Sequence, residues 1–162
     1  MHDLVLKSQA LGFQTRLVQC DLAFAYEEFI PKSERSFELL EEYERLDLGF
    51  DFSNLNIESD TLELLKAMYS KLEKLESLLL SQSLLKLKQS SSILALGHGL
   101  ICARNESFII SKNYYVRCLF LGKFLAFFGI AKDESFLEIT RMRSLDIKRY
   151  DKHIANAERL KL

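Results

Sequence analysis

The sequence predicts an α+β protein: a small antiparallel β-barrel interrupted by inserted, coiled-coil-like helices and closed by a C-terminal helix. Three observations lead there. Hydrophobic periodicity is helical between residues 33 and 88 and strand-like on either side of that interval. Turn signals follow one another so closely after residue 90 that about five short antiparallel strands fit, as in small barrels. The final stretch, "LDIKRYDKHIANAERLKL", returns to helical spacing, with Leu145, Arg149 and Tyr150, Ile154 and Ala157 recurring. The 162 residues suffice for one domain, read in three segments. Residues 1–30 supply the first barrel strand or strands, 31–89 the helical oligomerisation segment, and 90–162 the rest of the barrel with its closing helix.

Each element has a local reason. Residues 11–30, "LGFQTRLVQCDLAFAYEEFI", hold alternating and aromatic-rich runs that suit one or two strands. Pro31 has no amide hydrogen to donate and stops extended pairing. Ser33 caps a helix through "SERSFELLEEYERLDL", where Leu39, Tyr43 and Leu46, or Phe37, Leu40 and Glu44, share a face. "GFDFSNLNIES" (49–59) is a loop by composition, and Asp60 with Glu63 forms a capping box.

The next segment, "DTLELLKAMYSKLEKLESLLLSQSLLKLK", predicts a helix over 60–88. Leu65, Met68, Leu72, Leu75 and Leu79 keep a 3-4-3-4 rhythm, and Leu64, Leu78 and Leu85 widen it. Gln82 takes the next seam position, as a register-setting polar group or as the end of the seam. A narrow stripe suits a dimer and a wider one three or four helices, so self-association from dimer to tetramer is expected. The same width also suits a helix packed on its own domain, and that alternative stays open. Beyond Ser90, "SSILALGHGLICA", "SFII", "NYYVRCLFL", "KFLAFFGI" and "SFLEITRM" read as strands. Gly122-Lys123 is expected to form a type II′ hairpin turn, and "DESF" the turn after it.

Composition narrows the function. With 48% hydrophobic and 28% charged residues, and a net charge of -1, the chain reads as globular with no global pull toward nucleic acid. Charge is unevenly placed. Residues 27–60 carry eleven acids against Lys32, Arg35 and Arg45, whereas 141–162 carry seven Lys and Arg against Asp146, Asp151 and Glu158. Both read as solvated faces whose opposite signs could also bring parts of an assembly together. Cys20, Cys102 and Cys118 are far apart and odd in number, so reduced, half-buried thiols are expected. The N-terminus lacks a signal-peptide pattern, and "VRCLFLGKFLAFFGIA" is broken by Arg117, Gly122 and Lys123. A cytoplasmic location without a membrane span is expected.

No chemical motif stands out. "GHG" at 97–99 lacks the spacing of either glycine-rich phosphate loop, and strand follows it. His98 and Cys102 would share a strand face, but further metal ligands would have to come from Cys118, His153 or His2, all distant in sequence. No nucleophile elbow is present, and Glu41 and Glu42 belong to a solvated helix. Arg141, Arg143, Lys148, Arg149 and Lys152 around Tyr150 could grip a single strand of nucleic acid, although a solvated helix face explains them better. The expectation is therefore no enzyme, cofactor or metal, and no nucleic-acid partner.

A strand run beginning hydrophobic-x-hydrophobic-x-x-x-Gly-Leu, a hairpin-rich barrel and the ending "LEITRMRSLDIKRYDKHI" resemble the bacterial PilZ domain. "LELLKAMYSKLEKLESLLL", placed directly before the barrel run, resembles the inserted helix of an atypical, oligomeric PilZ branch. In that family cyclic di-GMP is held by an Arg-x-x-x-Arg pair and an Asp/Asn-x-Ser-x-x-Gly motif. Here no two arginines stand four apart. Gly99 matches the last glycine, but Leu94 replaces the acid and Leu96 the serine. Two leucines would leave a desolvated nucleotide without hydrogen-bond partners. The resemblance implies a cyclic di-GMP-independent adaptor of flagellar or type IV pilus motility, with an unidentified protein partner. A divergent receptor using His98, Arg141 and Arg143, or a small nucleic-acid-binding barrel, are the alternatives.

Overall fold

The computed structural model describes residues 2–46, 52 and 54–157. Among them the chain runs α1 (His2–Ala10), β1 (Val18–Phe29), α2 (Glu34–Arg45), α3 (Ser59–Leu80), β2 (Gln89–Gly97) and β3 (Leu100–Ala103). It continues through β4 (Asn113–Phe120), β5 (Lys123–Ala131) and β6 (Phe136–Arg141) to α4 (Ser144–Asn156). The six strands close a barrel in the order β1-β2-β3-β6-β5-β4, antiparallel throughout. The α+β class, the antiparallel barrel, the inserted helices and the terminal helix are as expected.

Strand alternation divides the apolar side chains between two sides of one wall. Phe24, Ile93, Leu96, Tyr114, Val116, Phe127 and Leu137 point into the barrel, where Tyr150 and Ile154 of α4 join them. Tyr115, Ala126 and Phe128 point outward beneath Leu39, Tyr43 and Leu46 of α2. Leu17, Leu100, Cys102 and Phe136 lie outward beneath Val5 of α1. "NYYV" and "FLAFF" therefore serve two cores at once. Gly129 is required where β5 and β6 approach: a Cβ there would sit 2.7 Å from the Glu138 carbonyl oxygen.

Several boundaries differ from expectation. Residues 2–10 form a helix, not strand, and contribute Val5 and Ser8 to the interior. α2 starts as predicted, its Ser33 side chain accepting from the Ser36 amide at 3.2 Å. It buries the Leu39–Tyr43–Leu46 face and exposes Phe37. α3 starts two residues earlier than the capping box requires: Glu58 takes the N-cap position, with no side-chain cap bond, and Asp60 lies inside the first turn. The helix ends at Leu80 rather than 88, because Ser81 and Ser83 turn back on the Leu78 and Leu80 carbonyls. Gln82 and Leu85 are consequently off the helix. "SFII" is no strand: the amides of Phe108 and Ile109 bond the Glu134 carbonyl and the Tyr114 hydroxyl instead of a neighbouring ladder. The β4–β5 turn is one residue earlier than expected. Phe120 pairs with Lys123, leaving Leu121 (φ 51) and Gly122 (φ 79) as its centre, both in the left-handed region of a type I′ turn. Of the 49–59 loop, residues 49–51 and 53 lie outside the described residues, and Ser59 already belongs to α3.

Glu42 is the largest surprise. It is 1% exposed, not solvated. One carboxylate oxygen accepts from the Arg117 guanidinium and from the Leu85 amide at 2.7 Å. The other accepts from the Tyr115 hydroxyl at 2.7 Å. Arg117 also donates to the Leu85 carbonyl at 3.0 Å. This cluster joins α2, the segment after α3 and β4. Glu42→Ala should lower unfolding free energy by about 3–5 kcal/mol in urea melts, since Arg117 is left buried without its counter-charge. Glu42→Leu with Arg117→Leu should recover most of that loss.

Candidate functional site

The glycine–histidine stretch is a hairpin, not a bend in one strand. Gly97 pairs with Leu100, so His98 and Gly99 form the turn between β2 and β3. Gly99 sits at φ +69, where glycine carries no Cβ penalty. A Cβ on Gly97 would lie 2.8 Å from the Thr15 methyl group, so the N-terminal segment closes over it. The His98 amide donates to Thr15 Oγ1 at 2.8 Å, and its Nδ1 lies 2.7 Å from Asp151 Oδ1 on α4. Below the turn the Tyr150 hydroxyl donates to the carbonyls of Gly97 (2.8 Å) and Leu100 (2.9 Å). Burial holds the Tyr150 phenol well above its ordinary pKa, so it stays a donor. α4 thus clasps the hairpin.

A pocket of about 340 Å³ lies beside this clasp, with His98, Gly99 and Arg141 in its lining. Two of the three divergent-ligand candidates therefore share it. The third does not: the Arg143 guanidinium stands 4.4 Å from the Tyr43 ring centroid and 3.4 Å from Asp146 Oδ2. Arg141 also lies over Tyr43, at 5.3 Å. The acidic α2 segment and the basic residues before α4 thus meet inside one chain. In the degenerate motif, Leu96 points into the barrel at 2% exposure and Leu94 is half-buried. His98 and Cys102 are not brought together, because the hairpin reverses the chain between them and Cys102 is buried under α1. Burial pushes the Cys20 and Cys102 thiols up to about 11 and Cys118 to about 12, away from thiolate chemistry. Only Cys20 is half-buried; the other two are fully so. Tyr150, wholly interior, has no face to offer a base.

The second candidate is α3. Leu64, Leu65, Met68, Leu72, Leu75, Leu78 and Leu79 are exposed by 37–70%. The side turned to the rest of the chain instead carries half-buried Leu62, Tyr69, Ser70, Ser77 and Leu80 around buried Glu73, which pairs with Lys123. An amphipathic helix in a solitary domain normally does the reverse. The predicted seam is therefore not the contact with its own barrel, and the self-packing alternative fails. Sequence reasoning missed Glu73 because a glutamate among lysines reads as surface.

No protein-family model matches the chain, and no curated protein does. Among solved structures it is similar to a tetrameric PilZ domain of a Xanthomonas campestris protein, self-assembled via a helical bundle. The TM-score is 0.47 at 11% identity, covering 93% of this chain and 95% of that one. The likeness is one of layout. The barrel described above stands on its own strand pairing. Among the described residues no helix is long and apolar enough to cross a membrane.

Tyr150→Phe should lower stability by about 1–3 kcal/mol, as two buried carbonyls lose their donor. Faster amide exchange confined to the β2–β3 hairpin and α4 would mark the clasp as its cause.

Proposed function

We propose that this chain is a non-enzymatic, PilZ-like adaptor that self-associates through α3 and presents its barrel to protein partners, in bacterial flagellar or type IV pilus motility. One observation carries the reading: α3 turns a polar, glutamate-centred face inward and its leucines outward. Contiguous apolar surface on this scale marks an interaction site in soluble proteins. The hairpin supports the negative half. Where the resemblance places an acid and a serine stand Leu94 and Leu96, and Arg143 is engaged with Tyr43 and Asp146.

Leu72→Glu with Leu79→Glu should reduce the particle mass in light scattering to that of a monomer, with an unchanged circular dichroism spectrum. Both side chains are more than half exposed, so neither change disturbs the fold. An unchanged mass would reject the seam. Calorimetric titration of the wild-type protein with cyclic di-GMP should be silent at high micromolar ligand. Saturable heat, abolished by Arg141→Ala, would instead establish the divergent receptor.

A further inference from the structure

Building on the proposed α3 self-association, we infer that the β4–β5 hairpin tip belongs to the same interface, with Leu119 and Leu121 seated against a second copy of this chain. The tip is placed by the Lys123–Glu73 ion pair, which brings the residue after the turn to the middle of α3. Leu72, a central ridge residue, immediately precedes Glu73 and lies about 100° round the helix from it. Leu119 and Leu121 are 54% and 61% exposed.

Leu121 is the second, independent sign. It occupies the first central position of a type I′ turn at φ 51, where Asn, Asp or Gly is favoured. A leucine there is strained in its backbone and leaves its side chain in water. Local rules broken in this way concentrate at functional surfaces.

The area agrees. A fully exposed leucine side chain offers on the order of 100 Å² of apolar surface, so the seven half-exposed ridge side chains present roughly 400 Å². A stable interface buries about 800 Å² per partner, somewhat more than half of it apolar. Adding the two hairpin leucines brings the apolar surface to roughly 500 Å², the amount such an interface needs.

The test is Leu121→Asn, alone and with Leu119→Ser, measured by concentration-dependent light scattering and thermal melting. Asn suits the left-handed turn, so the Leu121→Asn monomer should fold at least as stably as wild type when both carry Leu72→Glu and Leu79→Glu. Association should weaken at least tenfold for Leu121→Asn and further for the pair. Association within twofold of wild type for both variants, while Leu72→Glu with Leu79→Glu still dissociates the particle, would overturn this inference and leave the α3 seam standing. A wild-type protein that is monomeric at every concentration would overturn both.

Discussion

One buried carboxylate, Glu42, ties α2, the chain leaving α3 and the barrel wall together. Glu42 takes hydrogen bonds from Arg117, Tyr115 and the Leu85 amide, and these partners come from β4 and from the stretch after α3. Desolvating a carboxylate and a guanidinium is costly, and the cost is offset only when nearly every lone pair and proton is engaged. That condition is met by an unusually exact placement. α2 must present Glu42 over the outward face of β4, and the chain leaving α3 must bring the Leu85 amide to the carboxylate. An apolar contact would tolerate sliding by a residue or two. This one does not.

The consequence reaches α3. Because residue 85 is pinned, the helix must stop before it, and the turn at 81–83 with its serine-to-carbonyl bonds is where it stops. Leu80, Leu84 and Leu85 then pack with Tyr115 and Phe128, anchoring the C-terminal end of α3. Glu73 makes the second attachment through Lys123. Between these two points the helix needs no leucine for its own domain. The apolar residues at its seam are left to meet something else, as the proposed self-association supposes.

How much of this was legible in the sequence follows from the range of each interaction. Strands β4, β5 and β6 and helices α2 and α4 declare themselves through alternation or helical spacing, which are local. The hydrophobic rhythm of α3 was also local, but its end was not: Leu84, Leu85 and Leu87 continue the rhythm on paper while lying outside any helix or strand. Helix α1 carries only Val5 and Ser8 to the interior, too sparse a signal to separate helix from strand. Glu42 was invisible because its decisive partner, Arg117, stands 75 residues away. Glu73 and Lys123, 50 residues apart, were hidden for the same reason. Sequence patterns expose what neighbours do; they do not expose a charge waiting for a distant counter-charge.

The glycine–histidine turn shows how the polar groups around a hairpin can be spent on its own closure. Gly97 and Gly99 are held by geometry, one by close approach to Thr15 and the other by its positive φ. Leu96, at the motif's hydroxyl position, points into the barrel, so its replacement by serine would bury a hydroxyl among Ile93, Val116 and Phe127. That position belongs to the core. The polar groups that do approach the turn, Thr15 from before β1 and Tyr150 and Asp151 from α4, are spent on the turn's own amide, its carbonyls and the His98 ring. Such a turn is stabilised with its hydrogen bonds already made. A ligand drawing on these groups would have to break the clasp first, whereas a partner arriving at the exposed ridge of α3 would break nothing. Under that asymmetry the hairpin serves closure of the barrel, and the proposed self-association rests on the exposed ridge of α3.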